Sequence, residues 1–115
     1  MGIFSSQFTA FGLLLGLFVY PLLEECVFRF GLLHWADRRW SVWRGWRTNA
    51  AVSLLFAGLH LWAWPWMHAA AVFFPSLLFG VVWQRWQKLW VCVAVHSVCN
   101  AAGYALAIYA PGLLP

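Results

Sequence analysis

Charge is what this chain has least of. Only 9% of its 115 residues are Asp, Glu, Lys or Arg, while 64% are hydrophobic. A water-soluble domain of this size carries about 25% charged residues. The scarcity therefore excludes a soluble fold and indicates an integral membrane protein. Strand-like alternation is also missing, and the apolar runs are too long for the strands of a membrane barrel. Cysteine is sparse: Cys26, Cys92 and Cys99 lie in apolar segments with no CxxC spacing. That excludes a disulfide framework and predicts free thiols acting as small apolar residues. The start of the chain lacks the basic stretch and small-residue cleavage site of a signal peptide. Met1-Gly2 with Ser6 formally fits a myristoylation pattern, but a chain with several spans needs no further anchor. Internal repeats and low-complexity tracts are absent.

What remains is long apolar runs divided by tryptophan-rich junctions. At about 20 residues per span, the length allows a bundle of four transmembrane helices in one domain, residues 1–115. The spans are expected over residues 6–33, 48–62, 66–83 and 89–109. Gly12 and Gly16 form a GxxxG face suited to close helix packing. Pro21 and Pro75 are expected kinks. Trp and Arg alternate over residues 35–48, which predicts a short interfacial helix on the membrane surface. Beside two spans, this reading is preferred to a nucleic-acid patch. Thr48 or Asn49 is the expected cap of the second span. His34 and His68 lie near helix ends and are read as interfacial.

All ten tryptophans fall at the three junctions, as aromatic belts do. Arg38, Arg39, Arg44 and Arg47 mark the first junction, and Arg85 and Lys88 the third. The positive-inside rule puts both in the cytoplasm and both termini outside.

The few charges inside the spans are the informative ones. Glu24, Glu25 and Arg29 lie in an otherwise uncharged run from Phe8 to Trp35. Each costs about 2.5–3.5 kcal/mol at bilayer depth on insertion scales, so such residues face a bundle interior. Glu25 and Arg29 are four apart with the acid first, a pairing geometry. Glu24 projects about 100° away and needs a partner from another helix. At 1.5 Å per residue, Glu24 should lie about 14 Å from its cytoplasmic helix end, His60 about 18 Å, His96 about 10 Å and Asn100 about 16 Å. The expected layer lies in the cytoplasmic half or near the middle. Glu beside His is a general-base pair for water, and His and Asn can donate to an oxyanion. The set suits amide hydrolysis inside a membrane. A structural ion pair that fixes helix register is the alternative for the charges alone.

Glu24-Glu25-x-x-x-Arg29, Phe56-x-x-x-His60 and His96-x-x-x-Asn100, in that order, resemble the three motifs of the CAAX-protease and bacteriocin-processing (CPBP/Abi) family. These are glutamic-type intramembrane endopeptidases. The resemblance runs from about Tyr20 to Asn100 and extends to short members tied to bacterial C-terminal sorting signals. It implies that Glu24 and His60 activate water and that His96 and Asn100 stabilise the oxyanion. Glu25, Arg29 and Phe56 would support the site. It implies no metal and no cofactor, a membrane-anchored protein or peptide as substrate, and a bacterial cytoplasmic membrane as location. Neither nucleic acid nor a particular oligomeric state is implied. Family members often have about eight spans, so this chain resembles the catalytic core alone. Three alternatives stand beside this reading. Glu24, His60 and His96 could ligate zinc, and two histidines on different helices could be haem ligands. A non-proteolytic relative, acting as an immunity or scaffold protein, would keep the motifs without the chemistry.

Overall fold

The computed structural model describes residues 9–113. The expected start of the first span at Ser6 lies outside them. Among the described residues the chain is helical, with no strand. Helix α1 runs from Ala10 to Arg39, α2 from Trp46 to His60, α3 from Trp66 to Trp86 and α4 from Leu89 to Tyr109. Helices α1, α3 and α4 are long and apolar enough to cross a membrane. Helix α2 has 15 residues, about 22 Å at 1.5 Å each.

Helix α1 opens on a Thr9 cap whose hydroxyl accepts from the Gly12 amide at 2.9 Å. It is not uniformly α-helical. Two segments widen to π spacing, Leu15–Val19 and Cys26–Leu33, and the α-helical turn Tyr20–Glu25 lies between them. Such segments are rare and concentrate at functional sites. Pro21 gives a local reason for the first: it has no N–H to offer the carbonyl of Gly16 or Leu17. Both carbonyls are satisfied from α4 instead. Asn100 Nδ2 donates to Gly16 O at 2.8 Å, and Ser97 Oγ donates to Leu17 O. In a bilayer such side-chain repair is what makes proline tolerable within a span.

The first junction differs from expectation. Helix α1 continues through His34–Arg39, followed by a 3-10 turn over Ser41–Trp43 and then α2. The separate interfacial helix expected over 35–48 is thus divided between two long helices and a turn. The cap of α2 is Gly45, at φ 104°, a conformation glycine adopts without a side-chain penalty. Thr48 and Asn49 are buried within α2 rather than capping it. Their polar groups cross between helices: Thr48 Oγ1 donates to Asp37 Oδ1, and Asn49 Nδ2 donates to Leu77 O at 2.9 Å. Gln84 Nε2 completes the junction, donating to Asp37 Oδ2 at 3.1 Å and Gly45 O at 2.9 Å. This cluster ties the end of α1, the start of α2 and the end of α3.

Above that junction lies an apolar layer of Leu33, Val52, Val82, Trp83 and Cys92. Trp83 corrects the belt reading. It is 3% exposed and packs edge-on against Phe30 and His34, because the inner face of α3 needs a large side chain there. The Gly16 face is occupied within the bundle. A Cβ on Gly16 would lie 1.9 Å from the Tyr104 hydroxyl of α4. The polar residues of the three motifs lie in the next layer.

Candidate active site

Helix α1 supplies the charges. Glu25 and Arg29 are fully buried and bonded, Arg29 Nη1 to Glu25 Oε2 at 3.1 Å. An uncompensated ion here would be costly, and the surroundings supply much of the compensation, although Glu25 Oε1 and Arg29 Nε have no hydrogen-bond partner among the described residues. The guanidinium sits over the rings of Phe56 and Phe79, at 5.0 and 5.4 Å. Its Nη2 donates to Ser76 O at 2.6 Å and to Ser76 Oγ. Ser76 Oγ donates to Ser53 Oγ at 3.0 Å, and Ser53 Oγ to Asn49 Oδ1 at 3.3 Å. A chain of polar groups therefore runs from Glu25 through Arg29 to α3 and α2.

Helix α3 is the part that sequence reasoning missed. Ser76 and Phe79 have no motif around them, and a serine or phenylalanine in an apolar helix is an ordinary packing residue. Pro75 next to Ser76 was the nearest signal. Gly80 belongs to the same device, since its missing side chain leaves room for Asn49. A Cβ there would lie 1.7 Å from Asn49 Oδ1.

The histidines come from α2 and α4. His96 is buried, with Nδ1 2.8 Å from Glu25 Oε2 and its ring stacked 4.4 Å from Phe79. His60 ends α2, its Nδ1 2.7 Å from Phe56 O. A carbonyl only accepts, so Nδ1 of His60 carries the proton. With Nδ1–H committed to that carbonyl, Nε2 is the nitrogen left to meet a water or a ligand. Phe56 touches both rings, at 4.6 Å from His60 and 6.2 Å from His96. Spacing four apart on α2 puts Phe56 and His60 on one face, and the bundle turns that face toward α1 and α4.

Glu24 is half-buried. Its electrostatic neighbours are His96, His60, Glu25 and Arg29. Asn100 lies one turn beyond His96, with one amide N–H engaged by Gly16 O. His68 sits behind His60, with ring centroids 6.5 Å apart, and stacks on Trp64 at 4.5 Å. Among the described residues, no group of three or more His, Cys, Asp or Glu side chains is arranged to hold a metal ion. All three cysteines are free thiols.

Counted from the observed helix ends, Glu24 lies 15 residues from Arg39 and His60 14 from Trp46. Each stretch measures about 21–22 Å at 1.5 Å per residue. The values expected from sequence were shorter because α1 continues past Leu33 and α2 begins before Thr48.

A family model described as Rce1-like, type II CAAX prenyl endopeptidase, matches residues 6–102. No curated protein and no solved structure matches the chain.

Proposed function

We propose, given that this chain belongs to the Rce1-like family of type II CAAX prenyl endopeptidases, that it cleaves a peptide bond of a membrane-anchored protein or peptide by a glutamic-type mechanism without a metal. One observation carries the mechanism: Glu24 of α1 has both His60 of α2 and His96 of α4 as electrostatic neighbours. Two bases and a hydrogen-bond donor thus share one site.

In this mechanism a water lies between Glu24 and Nε2 of His60. Glu24 takes its proton as the oxygen attacks the scissile carbonyl carbon. The carbonyl π pair moves onto oxygen, and that oxyanion accepts from Nε2–H of His96 and Nδ2–H of Asn100. Collapse of the intermediate breaks the C–N bond, and the proton held by Glu24 passes to the leaving nitrogen. General-base and oxyanion contributions of this kind are each worth about 10²-fold or more. For His96 to donate from Nε2 while Nδ1–H faces the Glu25 carboxylate, the ring must carry both protons.

Orientation follows the cations: the Arg-rich junctions in the cytoplasm, both termini outside. A layer about 21 Å from the basic junction supports a site deep within the membrane rather than at its cytoplasmic surface. The test compares protein termini in bacterial cells carrying the native chain or Glu24→Gln at equal expression. New termini that require Glu24 identify the substrate and establish proteolysis. Identical termini with the cellular phenotype intact would instead establish a non-proteolytic scaffold or immunity role.

A further inference from the structure

Away from the polar layer, the structure contains a cleft of about 440 Å³ between the end of α1 and the start of α2. That is the size of a small-molecule site. Its lining includes Leu32, Trp35, Trp40, Trp43 and Ala51, and Arg47 is the one charged side chain in it. Three indoles and an aliphatic wall suit a hydrocarbon chain. The rings are already ordered against one another and against cations. Trp35 meets Trp40 edge-on at 5.0 Å, Arg39 lies over Trp40 at 5.7 Å, and Arg47 over Trp43 at 5.0 Å.

The charge around the cleft has one sign. Arg38, Arg39, Arg44 and Arg47 are all exposed, while Asp37, the single acid of this junction, is buried beneath Thr48 and Gln84. An apolar slot whose lining guanidinium makes no ion pair among the described residues, with three more cations on the same junction, is complementary to a molecule with an acyl tail and an anionic head. Basic pockets between helices at the cytoplasmic face take such lipids.

We infer that the α1–α2 cleft is a binding site for an anionic phospholipid, with one acyl chain among Trp35, Trp40, Trp43 and Ala51 and the phosphate on Arg47. The site is separate from the Glu24 layer and does not depend on proteolysis. Bound lipid would clamp the last turns of α1 to the first turns of α2, and it would set the depth at which the protein sits.

The test is native mass spectrometry of the full chain released from detergent. Phosphatidylglycerol and phosphatidylcholine with matched acyl chains are titrated separately. Phosphatidylglycerol should bind at least about fivefold more tightly, the scale of one basic residue at an anionic surface. Arg47→Gln should bring that preference below about twofold. Arg44→Gln, which removes the same charge outside the cleft lining, should leave it near the native value. Ala51→Phe fills the slot and should lose the first phosphatidylglycerol while keeping Arg47. Equal binding of the two lipids overturns the proposal. So does an equal loss of preference in Arg44→Gln and Arg47→Gln, which would mean diffuse charge attraction. Arg47 is exposed and Arg47→Gln leaves the buried contacts intact, so the decisive comparison stands even if Ala51→Phe does not fold.

Discussion

His96 is held by Glu25, with Nδ1 2.8 Å from Oε2, although Glu24 is the neighbouring residue in the chain. Two adjacent carboxylates thereby have different surroundings. Glu25 is enclosed with Arg29 and His96, whereas Glu24 is half-buried near both histidines. Helical geometry forces this division, since consecutive residues project about 100° apart.

The two carboxylates should therefore fail differently when changed. Glu24→Gln should keep the native melting temperature in detergent and lose about 10²–10⁴-fold in cleavage rate. Glu25→Gln leaves Arg29 buried without its counter-charge and should cost about 3–5 kcal/mol of stability. A Glu25→Gln protein that melts like the native one would show that the pair with Arg29 is not what holds the layer together.

Asn100 and Ser97 both satisfy carbonyls one turn before Pro21, but only Asn100 belongs to the proposed oxyanion site. Each alanine variant should lose about 1–3 kcal/mol, the cost of an unsatisfied buried acceptor. Asn100→Ala alone should also lower the cleavage rate by about 10²–10³-fold. Pro21→Ala restores a helical N–H, so in that background the stability cost of Asn100→Ala should shrink. A double-mutant cycle on melting temperature reads this coupling. A cost unchanged by Pro21→Ala would sever the link between the proline and the amide.

Three glycines separate close packing from helix propensity. Gly80→Ala must displace the Asn49 side chain, and Gly16→Ala the Tyr104 hydroxyl. Each should destabilise by about 1–3 kcal/mol. Gly58 has open space around it, so Gly58→Ala should gain about 0.5–1 kcal/mol from backbone entropy alone. Thermal unfolding in one detergent orders the three, and a stabilised Gly80→Ala would contradict the packing.

Gln84→Ala should weaken the junction of Asp37, Thr48 and Gly45 by about 1–3 kcal/mol. It should leave the cleavage rate per folded molecule unchanged, because the cluster lies a full layer from Glu24. A rate that falls with Gln84 while the fold is intact would mean that the two layers are coupled.

Cleavage should persist after exhaustive treatment with a chelator. Activity lost to chelation and restored by zinc would turn Glu24 and the histidines into ligands and replace the water-activation scheme.

Much of the fold was legible because polar groups are so few. In a chain with 9% charged residues, Glu24, Glu25, Arg29, His60, His96 and Asn100 stand out of their helices, and burial of polarity in a bilayer draws such groups together. The helix bundle and the limits of α4 were readable for the same reason. The less legible parts all involve residues with two uses. Thr48 and Asn49 have the chemistry of caps, yet they bond across helices because Gly45 turns the chain earlier. Trp83 has the composition of a belt residue and fills the core. Ser76 and Phe79 brace Arg29 from α3, but nothing in their spacing separates them from packing residues. The match of the fully buried carboxylate to His96 rather than the half-buried one depends on helix rotation, which a linear pattern does not specify.

The shortness of α2 has a consequence for supply. A peptide bond is broken by water, and a hydrocarbon core about 30 Å thick holds almost none. Helix α2 ends at His60 after 15 residues, and the chain turns at once through Leu61–Trp64 toward α3. At about 22 Å, α2 falls about 8 Å short of that core, a mismatch that a bilayer accommodates by thinning beside the short helix. The short flank coincides with the end that carries His60, so in the proposed hydrolysis water would reach that histidine most directly along the truncated side of the bundle.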